Sequence, residues 1–254
     1  MNAAVDPVML KHRPDLSLAY ADVKGLQPNM SPTVFAALQE TIATVQRPTI
    51  LETGIGLSTY HLCDQIRTTG GTYIGIEHNW SWFEVVEAWI RRLLTLHAGG
   101  VPVEQRRFIG PLRPKYYPKP VLHVDSLFLA GPLTVKLLLR QATGMTGDGT
   151  AEEFHEYLEA IAGPVDVAIV DGRARIPTLE RIATRGVLRP GGMLFLHDAA
   201  TYRKVAETLF PGGRFLEGRG GFKNALRPDQ PARALVPDEA YLWRISPEGN
   251  ASHA

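Results

Sequence analysis

Cysteine is almost absent from this sequence. Cys63 is the only one in 254 residues, which excludes an internal disulfide and any metal site built from several thiolates. A secretory leader pattern is also missing at the N-terminus, so a reducing cytoplasm is the expected compartment. Neither sign of charge dominates: 27 basic residues stand against 26 acidic ones, a formal net charge of +1. That balance gives no reason to expect nucleic acid or an anionic membrane as a partner. Long apolar runs are lacking too. The most apolar stretch, VLHVDSLFLAGPLTVKLLLR (121–140), is interrupted by His123, Asp125, Pro132 and Lys136, whereas a spanning helix needs about 20 largely apolar residues. The stretch reads as a lid on the substrate side or as a buried helix, and stable membrane insertion is not expected.

What is present is a regular alternation of strand and helix signals. Ser31-Pro32 caps a helix whose apolar face carries Val34, Leu38, Ile42 and Val45, the spacing of one helical stripe. PTILETG reads as a short buried strand, STYHLCDQIRTT as a helix ending at Gly70-Gly71, TYIGIEH as a second strand and residues 80–98 as a long helix. VEQRRFIGP reads as a third strand, VDVAIVDG as a fourth and MLFLHDA as a fifth, with YLWRI near the end. Such alternation predicts an α/β fold, doubly wound and Rossmann-like, with about seven mostly parallel strands and the last pair antiparallel. The expected organisation is an N-terminal arm (1–30), one domain (31–246) with an insert or lid at 111–150 that carries its own helix, and a frayed tail (247–254). The arm and the apolar insert are also the candidate interface of a homo-oligomer.

Ligands of doubly wound sheets bind beyond the carboxyl ends of the strands. The residues expected there are Glu52 to Gly56, Glu77-His78, Gly110, Asp171-Gly172 and His197-Asp198. ILETGIGLSTY (50–60) is nearly the dinucleotide fingerprint GxGxxG, but Thr59 stands at the third glycine and Glu52 precedes the first. Glu77 follows at the end of the second strand, where a carboxylate can accept two hydrogen bonds from a ribose diol. Nicotinamide and S-adenosylmethionine sites both use that device. A pyrophosphate prefers bare amides at a helix N-terminus, and a carboxylate in the turn would repel it. The ammonium and sulfonium of S-adenosylmethionine would instead be attracted. An NAD-dependent oxidoreductase and a non-catalytic cofactor-binding protein are the alternatives.

These stretches carry a resemblance. ILETGIGLSTY resembles motif I of class I S-adenosylmethionine-dependent methyltransferases, and YIGIEH the acidic motif after it. VDVAIVDGRARIPTLERIATRGVLRPGGMLFLHDA is similar to the fourth-to-fifth-strand segment of small-molecule O-methyltransferases. The resemblance spans roughly residues 48–200. It implies that Glu52, Thr53, Gly54, Gly56 and Ser58 hold the methionine part of the cofactor and Glu77 its ribose. His78, Asn79 and Gly110 would lie beside the adenine or ribose. It further implies a small-molecule acceptor, methylated on a hydroxyl oxygen, organised by Asp171, His197 and Asp198. In metal-dependent relatives the positions of Asp171 and Asp198 bind a divalent ion such as Mg2+, which would lower the hydroxyl pKa. This chain departs from them with His197 in place of an acid and Ala199 after Asp198. Without metal, His197 or Asp171 would be the general base. Arg173 and Arg175 either face the mouth of the site, where Arg173 would meet an anionic group of the substrate, or lie on the solvated surface. KYYPK (115–119) and GRGGFKN (218–224) are candidate recognition and closing loops.

Overall fold

The computed structural model describes residues 23, 26, 28–97, 103–112, 121–219 and 237–246. Most of the expected N-terminal arm, the KYYPK loop, most of the GRGGFKN loop and the tail at 247–254 lie outside them. The described elements run α1 (Pro32–Ala43), β1 (Thr49–Thr53), α2 (Leu57–Ile66), β2 (Gly71–Glu77), α3 (Trp80–Leu96), β3 (Glu104–Leu112), β4 (Val121–Ala130) and β5 (Leu133–Arg140). They continue with α4 (His155–Glu159), β6 (Val165–Val170), α5 (Arg175–Arg185), β7 (Leu188–His197), a 3-10 turn (Ala199–Tyr202), α6 (Arg203–Leu209), β8 (Arg214–Arg219) and β9 (Pro237–Arg244).

All nine strands form one sheet in the order β3-β4-β5-β2-β1-β6-β7-β9-β8. Its centre, β5-β2-β1-β6-β7, is parallel. The chain leaves β1 for β2 on one side and later returns to β6 on the other, so the strand order reverses between β1 and β6. Alternate side chains of each strand face opposite layers. Ile50, Tyr73, Val167 and Ile169 pack with residues of α1, α2 and α3, while Leu51, Ile76, Ala168 and Val170 pack with residues of α4, α5 and α6. Both faces of the central strands are therefore dry, which explains their continuous apolar runs.

The helix starts follow local chemistry. Ser31 Oγ accepts from the Val34 amide at 3.2 Å and opens α1, and Asn79 Oδ1 accepts from the Trp82 amide at 3.1 Å and opens α3. Among the described residues no helix is long and apolar enough to cross a membrane.

Two expectations are corrected. The sheet has nine strands where about seven were expected, and the two additional ones, β4 and β5, lie in residues 121–140. The apolar stretch 121–140 is neither a lid nor a buried helix. It is a hairpin, β4-β5, turning at Gly131-Pro132, with β5 lying parallel to β2 in the middle of the sheet. Its alternation supports this: Leu133, Val135, Leu137 and Leu139 are buried, whereas Lys136 is exposed. The stretch VEQRRFIGP, read as the third strand, is a strand but lies at the sheet edge as β3, antiparallel to β4.

Candidate functional site

The crevice at the β1/β6 reversal point is closed from below by contact between two glycine turns. Gly54 has φ +85°, and a Cβ there would sit 2.2 Å from Gly172 Cα. The amides of Asp171 and Gly172 donate to the Thr53 carbonyl at 3.0 and 2.7 Å. Above these turns opens a cavity of about 580 Å³, within the range of small-molecule sites. Its walls come from Gly54 to Ser58, from Glu77, His78 and Asn79, and from Asp171, Gly172, Arg173, Arg175 and Asp198. Asn29, Trp82 and Met145 complete it.

Most of the residues singled out in the sequence thus meet in one place, but four do not line it. Gly110 lies on β3, three strands from β2, because the β4-β5 hairpin intervenes. Glu52 and Thr53 are fully buried beneath the turn. His197, 1 % exposed, lies behind Asp171, with its Nδ1 at 2.6 Å from Asp171 Oδ1.

The position of Glu52 corrects the reason for its presence. It does not face a cationic ligand; it holds the loop from inside. Ser58 Oγ donates to Oε1 at 2.6 Å, and the hydroxyls of Thr59 and Tyr73 donate to Oε2. Thr59 Oγ1 also accepts from the Gly56 amide at 2.9 Å. The two departures from the dinucleotide fingerprint are one device: the threonine replacing the third glycine is the partner of the extra acid. Burial pushes the Glu52 carboxyl up to about 7 against the opposing pull of its three hydroxyl donors.

Glu77 closes the other side of the turn. Its Oε1 accepts from the amides of His78 and Asn79 at 2.9 and 2.8 Å, while Oε2 takes no hydrogen bond from a described residue. A Cβ added at Gly56 would find nothing nearer than 4.0 Å, so the backbone there fronts open space. Trp82 Nε1 donates to the Ile55 carbonyl at 2.6 Å and pins the turn from α3.

The far end of the cavity is a charge cluster. One nitrogen of Arg175, Nη2, lies 3.3 Å from Asp171 Oδ1, 3.2 Å from Asp198 Oδ2 and 2.8 Å from the Asp171 carbonyl. The Arg175 amide donates to Asp148 Oδ2 at 2.9 Å, and its guanidinium stacks 5.4 Å from the Tyr202 ring. Burial works against the charge of Arg175, but Asp171, Asp198 and Tyr202 together outweigh it and hold the pKa above the usual arginine value. Two left-handed non-glycine residues, Ala174 (φ 54°) and Asp198 (φ 55°), flank the cluster, and backbone of that kind collects at working sites. Asp148 arrives on the segment after β5, where Glu153 ties the turn by accepting from the amides and hydroxyls of Thr146 and Thr150. Arg173 is exposed and has no ion pair with a described residue.

No family model matches the sequence. No curated protein is similar to it either. Among solved structures the chain is similar to cofactor-bound Rv0187 from MTB, at 15% identity over 97% of this chain and 94% of that one, with a TM-score of 0.49. It is similar to the O-methyltransferase TomG from Streptomyces achromogenes in complex with SAM, at 12% identity over 97% and 93% of the two chains, with a TM-score of 0.48. A SAM-dependent methyltransferase from Thiobacillus denitrificans in complex with S-adenosyl-L-homocysteine gives 13% identity over 92% and 98%, also at 0.48.

The expected divalent metal can be tested on the cluster. Asp171, His197 and Asp198 each offer a ligand atom, all within 4.8 Å of one another. Two observations count against an ion. The space between the carboxylates is taken by Arg175 Nη2, and His197 Nδ1 is already engaged with Asp171 Oδ1. A dication could enter between the carboxylates only by displacing that guanidinium, whose charge would otherwise repel it. The residues as arranged do not fit a divalent ion. Arg175 stands four residues after Asp171, across the strand-helix turn, and folds back onto that acid instead of lying beside Arg173 at the mouth.

Proposed function

We propose that this protein transfers a methyl group from S-adenosylmethionine to a hydroxyl oxygen of a small-molecule acceptor. The observation that carries the reading is the joint presence, in one cavity, of the Gly54–Ser58 turn, the open carboxylate oxygen of Glu77 and the acidic end formed by Asp171 and Asp198. The turn at Gly56 lets a ligand approach the backbone, and Glu77 Oε2 is the acceptor left for a ribose diol. Bound S-adenosylmethionine supplies an electrophilic methyl group on a sulfonium, which needs no metal to leave.

The remaining work falls to the chain. The acceptor hydroxyl must be brought in line and give up its proton as the O–C bond forms and the S–C bond breaks. Asp171 Oδ1 is held by His197 and Arg175, so its carboxylate is fixed in orientation. Its Oδ2 takes no hydrogen bond from a described residue and is the group we assign to receive the hydroxyl proton. His197 orients Asp171 from behind. Asp198, at the cavity wall beside Arg175, orients the acceptor, and Arg173 at the mouth would pair with an anionic group on it.

Calorimetric titration with S-adenosylhomocysteine is expected to give one site per chain, and a flat titration would sink the reading. Glu77→Gln keeps the fold but loses one acceptor, so the affinity for S-adenosylhomocysteine should fall by about tenfold. An unchanged affinity contradicts the ribose role of Glu77.

A further inference from the structure

We infer that Arg175 occupies the cation position between Asp171 and Asp198, so that the site takes no divalent ion; the inference rests on the methyl-transfer reading above. A single guanidinium nitrogen bridges the two carboxylates at 3.3 and 3.2 Å. These are the acids whose sequence positions match the metal ligands of the metal-dependent enzymes that the chain resembles.

The arginine is built in rather than resting on the surface. Its side chain is only 10 % exposed. It is the first residue of α5, with its amide anchored to Asp148 Oδ2 and its Nη1 3.8 Å from Asp148 Oδ1. Tyr202 covers the guanidinium face. An entering ion would have to displace a side chain held from four directions: the Asp171 carbonyl, two carboxylates at the cavity and Asp148 beneath. A fixed guanidinium also differs in what it does. It orients carboxylates by directional hydrogen bonds and exposes no open coordination position, so it cannot take an acceptor hydroxyl as a ligand. The acceptor proton is then left to Asp171, and Arg175 is a positioning residue for that base.

The test uses Mn2+ alone as probe, followed by electron paramagnetic resonance during titration of the full chain. Wild type is expected to bind no stoichiometric Mn2+. Arg175→Met vacates the position, and a single Mn2+ should then bind at least ~100-fold more tightly than to wild type, with the gain abolished by adding Asp198→Asn. Arg175→Gln, which keeps a donor for the Asp171 carbonyl, is read in the same way if the methionine variant does not fold. A wild-type protein that binds one Mn2+ and loses it on Asp198→Asn overturns the inference. So does a folded Arg175 variant with no gain. The S-adenosylhomocysteine titration needs no metal, so failure of the cofactor reading and failure of this one are distinguished.

Discussion

Gly54→Ala should cost ~3 kcal/mol or more of unfolding free energy, while Gly56→Ala, two residues on, should cost about 1 kcal/mol or less. The two glycines look equivalent in the sequence, but they do different things. At Gly54 the backbone is left-handed, and a methyl group would lie 2.2 and 2.4 Å from the Cα and amide nitrogen of Gly172. Both are main-chain atoms at the ends of β1 and β6, so neither can rotate away. Relief requires the two turns to separate, breaking the hydrogen bonds from the Asp171 and Gly172 amides to Thr53. At Gly56 φ is −169°, extended backbone that any residue adopts, and the nearest atom to a new methyl is 4.0 Å away. Urea denaturation of the two variants measures the contrast. If Gly56→Ala melts like wild type yet binds S-adenosylhomocysteine more weakly, that glycine serves the ligand. If the two variants are equally destabilised, the assignment of Gly54 to the strand crossing is wrong.

The second large effect is a dependence of stability on pH. The Glu52 carboxyl is raised by burial from 4.5 to about 7 in the folded protein. The folded state therefore holds a proton that the unfolded chain has released between those values. Its contribution to stability is fully present below pH 4.5 and is lost as the pH rises through about 7. The shift corresponds to ~3 kcal/mol. Glu52→Gln cannot titrate, while its one carbonyl oxygen can still accept from the hydroxyls of Thr59 and Tyr73 and its amide nitrogen can donate to Ser58 Oγ. Comparing unfolding free energies at pH 5 and pH 8, wild type should lose ~2.5 kcal/mol more than the variant does over that interval. Parallel pH profiles would mean that Glu52 titrates near its ordinary value and that the hydroxyl cage compensates fully for burial.

Much of this was legible from local pattern. Val34, Leu38 and Ile42 announced α1, and the apolar runs ending in Glu52, Glu77, Asp171 and His197 announced the central strands and the edge at which a site would form. Period, caps and strand-end acids are local properties, and the sheet preserved them. What failed were questions of partnership. Residues 121–140 are apolar enough for a helix, and only their two-residue alternation across Gly131-Pro132 distinguishes a hairpin. Once that hairpin inserts beside β2, the strand ending at Gly110 is carried to the edge, and a residue expected beside the cofactor loses its place. Glu52 shows the same limit at a single position. Its charge suggested attraction to a cation, but which way a strand-end side chain points depends on register: Glu52 is paired with Gly75 and Ile169 inside the sheet. Arg175 was visible as a basic residue near an acid. That it folds back to bridge two acids depends on the left-handed backbone at Ala174, for which the sequence carries no glycine as a marker.

The hydrogen bond from Trp82 to Ile55 has a practical use. Trp82 lines the cavity, and its indole N–H is tied to the turn at Ile55. It also packs edge-on against buried Trp89, with ring centroids 5.5 Å apart. Any small molecule that settles on the turn alters the polarity around an indole already coupled to a second one. The protein therefore carries its own optical reporter: tryptophan emission, read without a label, should register occupancy at this end of the cavity, and Trp82→Phe should silence it while Trp243, on β9, supplies an internal reference.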